Sequence, residues 1–196
     1  MTRGAGSRRS RAGRGTAGIR AGLLTLCLLL SPAVAAADGD ELLPGLKVAY
    51  LYNFTRFVEW PGAAADRPFV IGVIGDPAME EHLRALEREE KRVDGRPIAI
   101  RGFEGPDDLE PTDILFVGSG ATEWLDAIRR RTAGKPTLLV GDTPGFVGRG
   151  VAIELFRKPD IFGKSERLRF RIDSAALKDR GLTVSAQLYD VAEVVR

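Results

Sequence analysis

The side chains in this chain that could perform catalysis or bind a metal are few and scattered. The one histidine, His82, has no second histidine to complete a metal site, and the one cysteine, Cys27, lies near the amino terminus. A zinc site takes three or four ligands, and a serine or cysteine nucleophile needs a neighbouring base. We therefore expect His82 to be a solvated helix residue, and we expect no metal site, no catalytic triad and no cofactor.

Three glycine-containing turns each follow an apolar run of strand length, where α/β proteins place their ligands. They are Gly75-Asp76-Pro77, Gly118-Ser119-Gly120 and Gly141-Asp142-Thr143-Pro144-Gly145. None carries the lysine of a phosphate-binding loop, and Glu123 stands where a dinucleotide-binding fingerprint has its third glycine. We expect these glycines to make tight strand-to-helix turns. A ligand-binding crevice at the carboxyl edge of the sheet is the alternative. An enzyme would need an unrecognised carboxylate mechanism at Asp76 and Asp142.

The spacing of apolar residues predicts helices that alternate with strands. In chain order, the prediction is a helix at 38–59, a strand at 69–74, a helix at 77–91, strands at 97–103 and 113–117, a helix at 122–131 and a strand at 136–140. The first helix must end before Pro61, and Asp76 can cap the second, with Pro77 at its first position. Strands that are apolar on both faces indicate a parallel sheet covered on two sides.

The pattern changes after the fourth strand. Segments 151–156 and 167–172 alternate apolar and polar residues, which predicts an antiparallel hairpin at the edge of the sheet. A short helix at 174–180 follows, and Ser185 can cap a last helix that extends to Val195. The sequence thus predicts a single α/β domain of three layers, with a mostly parallel sheet, an antiparallel edge hairpin and flanking helices.

The first 37 residues have the composition of a removable export signal. Six arginines precede an apolar run, Ala21 to Leu30, and small residues then offer cleavage before Ala36 or before Asp38. The run is shorter than the roughly 20 residues that span a bilayer. We therefore expect a periplasmic domain, residues 38–196, that does not insert into the membrane. The pair Arg8-Arg9 leaves twin-arginine export open beside the general secretory route.

Removal of this segment changes the charge and the cysteine count. The whole chain has 29 lysines and arginines against 27 aspartates and glutamates. Without the six arginines of residues 1–37, the rest has 23 basic residues against 27 acidic ones, a net charge of −4. This balance argues against a nucleic-acid-binding protein. Cys27 is removed as well, so the domain contains no thiol and must be held by its core alone.

Aromatic residues are concentrated between Tyr50 and Trp60. Tyr50, Phe54 and Phe57 share one face of the predicted first helix, so we expect them in the core. Tyr52 and Trp60 fall away from that face. They are candidates for a contact surface, and a second buried face against the C-terminal helix is the alternative.

Several motifs, taken in order, resemble the YfiR family of periplasmic proteins. They are Lys47-Val-Ala-Tyr50-Leu-Tyr-Asn53-Phe54-x-Arg-Phe57-Val-Glu-Trp60-Pro61, Gly75-Asp76-Pro77, Leu139-Val-Gly141-Asp142-x-x-Gly145-Phe146, Arg169-Phe170-x-Ile172-Asp173-x-Ala175-Ala176 and Gly181-Leu182-x-Val184-Ser185. The resemblance covers nearly all of residues 38–196, and the first, aromatic motif is its most specific part.

The resemblance implies a function. Family members characterised as regulators bind the periplasmic part of an inner-membrane diguanylate cyclase and hold it inactive, so cyclic-di-GMP and biofilm formation fall. It therefore implies a negative regulator that is not an enzyme and that acts through protein contact, with a homodimer as one possible form. The alternative is a periplasmic small-molecule binding module that uses the crevice at the carboxyl edge of the sheet. The residues we expect to face a partner are Tyr52, Trp60, Asp142 and Phe146.

One departure from the family pattern bears on regulation. Family members often carry cysteines whose disulfides report redox state, one of them just before the third strand, where this chain has Thr112 and Asp113. Because residues 38–196 contain no cysteine, a thiol switch of that kind is excluded. Any sensing must then act through a ligand or a partner.

Overall fold

The computed structural model describes residues 39–62, 66–159 and 166–195, with side chains from residue 42 onward. The predicted export signal, residues 1–37, lies outside the described residues. Within them the helices are α1 (Gly39–Phe54), α2 (Pro77–Arg88), α3 (Leu125–Thr132), α4 (Ser174–Lys178) and α5 (Ala186–Val191). The strands are β1 (Val58–Glu59), β2 (Phe69–Ile74), β3 (Arg92–Val93), β4 (Arg96–Phe103), β5 (Ile114–Val117), β6 (Leu138–Gly141), β7 (Ile153–Pro159), β8 (Glu166–Asp173), β9 (Thr183–Val184) and β10 (Glu193–Val195).

Eight of the described strands form one sheet in the order β10-β8-β7-β6-β5-β2-β4-β3. The strands from β4 through β2, β5 and β6 to β7 are parallel, whereas β7 and β8 form an antiparallel hairpin. Strands β1 and β9 make a separate antiparallel ribbon. The mostly parallel sheet and the hairpin are therefore confirmed, although β10 covers the hairpin and forms the outer edge.

Neighbouring residues of the central strands enter opposite cores, which is why these strands are apolar on both faces. Ile114 and Phe116 of β5 pack in a core that includes residues of α1, α2, α4 and α5. Leu115 and Val117 pack in a second core with residues of α3. All four side chains are fully buried. The sheet therefore lies between two layers of helices, as predicted.

Helix α1 ends at Phe54, five residues before its predicted end. The amides of residues 55–57 bond to carbonyls three residues earlier, at 3.0–3.2 Å, which closes single turns rather than continuing the helix. Val58 then enters β1, where it is buried and lies opposite Val184. The apolar spacing misled the prediction because it fits a turn followed by a short strand as well as a helix.

The last predicted helix is wrong at its C-terminal end. Helix α5 stops at Val191, and residues 193–195 form β10, which runs parallel to β8 with Val194 opposite Ile172. Consecutive β-branched valines favour extended backbone, and an open sheet edge offers hydrogen-bond partners. The spacing of Leu188, Val191 and Val195, by three and then four residues, is also that of one face of a helix, which misled the prediction.

The ends of the helices test the predicted caps. The Asp76 carboxylate accepts a hydrogen bond from the amide of Met79 at 2.9 Å, and Pro77 opens α2, as predicted. Ser185 precedes α5, but its side chain makes no capping hydrogen bond. The carboxylate of Asp173 instead caps α4, accepting from two amides at 2.9 and 3.0 Å. None of the described helices is both long and apolar enough to cross a bilayer.

Candidate partner-binding site

The first two glycine turns pack directly against each other at the carboxyl ends of β2 and β5. The amide of Gly120 donates to the carbonyl of Gly75 at 3.1 Å. A Cβ atom on Gly118 would lie 2.5 Å from the Cβ of Asp76, inside van der Waals contact. Backbone therefore fills this space, and the crevice predicted at the carboxyl edge is closed at these two turns.

The third turn carries an ion pair. The Lys47 Nζ and Asp142 Oδ2 atoms are 2.5 Å apart, and the two side chains are 17% and 18% exposed. The pair fastens α1 to the residue that follows β6. A cavity of about 160 Å³ lies beside it, with Leu43 and Phe156 in its wall. The part of the predicted crevice next to Gly141 is thus open, but small.

Phe146 lies in the core, not on a contact surface. Its side chain is 1% exposed and belongs to the cluster that packs against α3. Gly141 leaves room for the ring, because a Cβ atom there would lie 2.6 Å from the Phe146 Cδ2 atom. The expectation that Phe146 faces a partner is therefore corrected, since a partner cannot reach a ring buried to this extent.

Tyr52 and Trp60 are half-buried and make contacts within the domain. The Trp60 indole N–H donates to the backbone carbonyl of Asp113 at 2.9 Å, and its ring meets Phe69 edge-on at 5.0 Å. The Tyr52 hydroxyl lies 3.4 Å from the carbonyl of Arg92 in β3. The predicted residues therefore contact different parts of the fold, and the contacts do not gather them into one site.

A larger cavity, of about 470 Å³, opens between α1, β8 and α5, and we call it the α1–α5 groove. Tyr50, Phe54 and Phe170 contribute to its lining and meet one another edge-to-face, with ring centroids 5.2–6.0 Å apart. The Tyr50 hydroxyl donates to the carbonyl of Leu168 at 2.9 Å, which fixes its ring. The base of the groove is therefore apolar and aromatic, a composition typical of binding sites.

Two arginines of the α1–α5 groove are exposed. Neither the Arg56 nor the Arg169 side chain makes an ion pair or hydrogen bond with any described residue. Val191, which also lines the groove, is 55% exposed. A free guanidinium pairs well with a carboxylate, so the groove suits a ligand or segment that combines an apolar group with negative charge.

Neither Arg56 nor Arg169 was among the residues that the sequence predicted to face a partner. Each arginine directly precedes a phenylalanine within one of the motifs described above, Arg56 before Phe57 and Arg169 before Phe170. The sequence signal that could have identified them is an arginine directly before a phenylalanine in two of the motifs. Their position in one groove depends on the packing of α1 near β8.

Metal binding finds no support in the described residues. No group of three or more histidine, cysteine or carboxylate side chains among them is arranged to hold an ion. His82 is exposed on α2.

The sequence model of the family described as DUF4154, YfiR/HmsC-like, matches residues 45–193, which include the whole lining of the α1–α5 groove. The chain belongs to the YfiR/HmsC-like family. This family indicates a periplasmic regulator of cyclic-di-GMP signalling. No curated protein matches the chain.

A solved structure shares the fold. It is the crystal structure of a conserved domain protein from Vibrio cholerae O1 biovar El Tor str. N16961, with 14% sequence identity and a TM-score of 0.50. The alignment covers 78% of this chain and 60% of the other, so this chain spans less than two thirds of that protein. At this identity the likeness concerns the fold alone.

Proposed function

We propose that this YfiR/HmsC-like protein is a negative regulator that binds the periplasmic region of an inner-membrane diguanylate cyclase. Binding holds the cyclase inactive and lowers cyclic-di-GMP. The observation that carries the proposal is the α1–α5 groove, in which two exposed arginines without partners among the described residues flank an aromatic base. Family membership supports the regulatory role.

The groove favours a particular kind of partner segment. An apolar side chain of the segment would bury against Tyr50, Phe54 and Phe170, and aspartate or glutamate beside it would pair with Arg56 or Arg169. Aromatic residues and arginine are the side chains that most often dominate the energy of protein interfaces. Three further residues are secondary candidates for contact with the partner: Tyr52 on α1, Asp142, which pairs with Lys47 of α1, and Trp60.

We also propose that residues 1–37 act as an export signal and that residues 38–196 form the domain that works in the periplasm. A homodimer is one form in which the domain could present the groove. Sizing the purified protein by light scattering, with and without its partner, distinguishes a monomer from a dimer.

The direct test is capture of the partner from membranes. The full chain with a C-terminal tag is expressed in its own bacterium, and the bound proteins are identified by mass spectrometry. We expect a membrane protein with a periplasmic region and a cytoplasmic cyclase domain. The Arg56→Glu and Arg169→Glu variants should each lose it, because reversed charge repels the acidic segment.

Arg101→Glu is the matched control for this experiment. Arg101 is an exposed arginine on β4, five strand positions from β8 and hence about 24 Å away across the sheet. It should capture the partner as the unaltered chain does. Equal capture by all variants would remove the groove from the proposal. Deletion of the gene should raise cyclic-di-GMP, and unchanged levels across growth conditions would contradict the inhibitory role.

A small-molecule-binding function is the second candidate, because the groove volume lies within the range of such sites. A ligand present at 100 times its Kd stabilises a protein by about 2.7 kcal/mol. Thermal melting against a panel of aromatic acids would therefore reveal it as a raised Tm that Arg169→Glu abolishes. A flat response would leave partner binding as the function of the groove.

A further inference from the structure

A second cavity, of about 390 Å³, lies between α3 and α4 and shares no lining residue with the α1–α5 groove. Arg129, Arg130 and Arg180 line it, together with Asp126 and Asp179. Three guanidinium groups around one cavity repel one another unless anions are near. Whether the three positive charges are neutralised depends on the ion pairs and hydrogen bonds of each arginine.

Arg180 is the buried member of the three. Its side chain is 8% exposed, and its Nη1 atom donates to the backbone carbonyl and the hydroxyl of Thr132 at 2.9 and 3.0 Å. Its Nε and Nη2 atoms make no hydrogen bond with a described residue. Burial lowers the pKa of Arg180, and the charge of Arg129 lowers it further, although Asp179 opposes this. An anion in the cavity would oppose both effects, because it favours the charged guanidinium.

The other two arginines lie at the end of α3. Arg130 makes no ion pair or side-chain hydrogen bond with any described residue, and Arg129 lies 3.6 Å from the exposed carboxylate of Asp126. A Cβ atom on Gly150, whose φ is +87°, would lie 2.4 Å from the Arg129 Nε atom. The glycine therefore lets the Arg129 side chain lie against the backbone at the cavity wall.

We propose that this cavity binds a phosphate group, either free or carried by a small molecule. Guanidinium groups pair with phosphate oxygens through two parallel hydrogen bonds, and Arg130 and Arg180 both have N–H groups available. The three arginines outnumber the two aspartates of the lining, so the cavity favours an anion, and a phosphate oxyanion has enough acceptor atoms to meet Arg130 and Arg180 together. Small-molecule sites begin at about 300 Å³, so the cavity has room for a phosphate ester as well as the free ion.

Calorimetric titration of the purified protein tests the proposal with three probes: inorganic phosphate, glucose 6-phosphate and glucose. We expect both phosphates to bind and glucose not to bind. Tighter binding of glucose 6-phosphate would identify an ester as the preferred occupant, and equal binding would identify the phosphate group itself. Absence of phosphate binding at millimolar concentrations, or equal binding of glucose, would overturn the proposal.

Two neighbouring arginines provide the matched variants. Arg130→Gln should weaken phosphate binding at least about 10-fold, the usual loss for one hydrogen bond between charged groups. Arg131→Gln removes the same charge from the same helix, but Arg131 pairs with Asp107 and does not line the cavity. It should bind as the unaltered protein does.

The experiment tests the proposal even if one variant fails to fold. Arg180→Lys would also weaken the hydrogen bonds from residue 180 to Thr132 at the end of α3, so the Tm of this variant is measured beside its affinity for phosphate. Arg129→Gln and Arg130→Gln alter exposed residues and should fold normally. Unchanged affinity in both would overturn the proposed site. Equal weakening by Arg131→Gln would show a general charge effect and would overturn it as well.

Discussion

Asp113 and Arg96 form a buried ion pair in which the Oδ2 and Nη2 atoms are 2.9 Å apart. The side chains are 1% and 6% exposed. Arg67 donates to the other carboxylate oxygen at 2.6 Å, and the amide of Val70 donates to Oδ2 at 2.8 Å. The backbone carbonyl of Asp113 accepts from Trp60. One residue thus connects the segment before β2 with β2, β4 and the start of β5.

Replacement of Asp113 should cost much of the stability of the domain. In Asp113→Asn the Arg96 guanidinium stays buried without its counter-charge, and breaking a buried pair in this way costs about 3–5 kcal/mol. Urea unfolding measures the loss. Arg67→Ala is the comparison, because Arg67 is 38% exposed and should cost about 1 kcal/mol or less. Similar, small losses in both variants would contradict the structural role of Asp113.

Alanine should be poorly tolerated where the two glycine turns meet. The φ of Gly118 is −77°, so the cost of Gly118→Ala comes from the new Cβ, 2.5 Å from Asp76 and 2.7 Å from the Gly75 carbonyl oxygen. Overpacking of this kind costs about 1–3 kcal/mol. Gly105 has extended backbone and no atom within 4 Å of a new Cβ. Thermal unfolding should show Gly105→Ala within about 0.5 kcal/mol of the unaltered protein.

Lys47 and Asp142 should be energetically coupled. Unfolding of Lys47→Met, Asp142→Asn and the double variant gives the coupling energy, and residues in direct contact show about 0.5–3 kcal/mol. Because both side chains are under 20% exposed, the coupling should persist in salt. The same variants separate two roles of Asp142. Loss of stability with unchanged partner capture assigns it to the fold, and the reverse assigns it to the contact surface.

The pairing of β10 should weaken in acid. The pKa of Glu193 is lowered, chiefly by a hydrogen bond from Lys158 at 2.7 Å, with Arg171 adding to the effect. A carboxylate whose pKa is lowered by folding stabilises the folded state at pH values above its pKa in the unfolded chain, about 4.3. This stabilisation is lost as the pH falls through the lower pKa of the folded state. Glu193→Gln should therefore lower Tm slightly at pH 7 and not at pH 2. A Tm difference that is constant with pH would contradict this.

The central strands could be predicted from sequence because burial on both faces leaves a local mark. Residues 69–74 are apolar throughout, and β2 has these bounds. The ends of α1 and α5 could not be predicted, because at Val58 and Val195 the same apolar spacing fits a helix or a strand. Pairing with β9 and with β8 decides between them. A distant partner strand leaves no trace in the local pattern.

The residues of the candidate site could likewise be predicted only as far as their local pattern shows, and their distant contacts could not. Asp142 was expected to face a partner, but its ion pair could not be predicted, since Lys47 lies on a helix 95 residues earlier in the chain. Phe146 was expected to face a partner because its burial beneath Gly141 depends on how the turn packs. Arg56 and Arg169 meet in one groove only after α1 packs near β8.

The ribbon between β1 and β9 limits the order in which the molecule can assemble. Val58 pairs with Val184, and the walls of the α1–α5 groove come from α1 and α5, near opposite ends of the described chain. Contacts between residues so far apart in sequence require a long loop to close, and folds rich in such contacts fold slowly. A nascent chain still lacking residues 183–191 can pair its central strands, but it has no groove with which to engage a partner. Binding through the groove therefore requires a chain that extends at least to residue 191 and has packed α5 against α1 and β8.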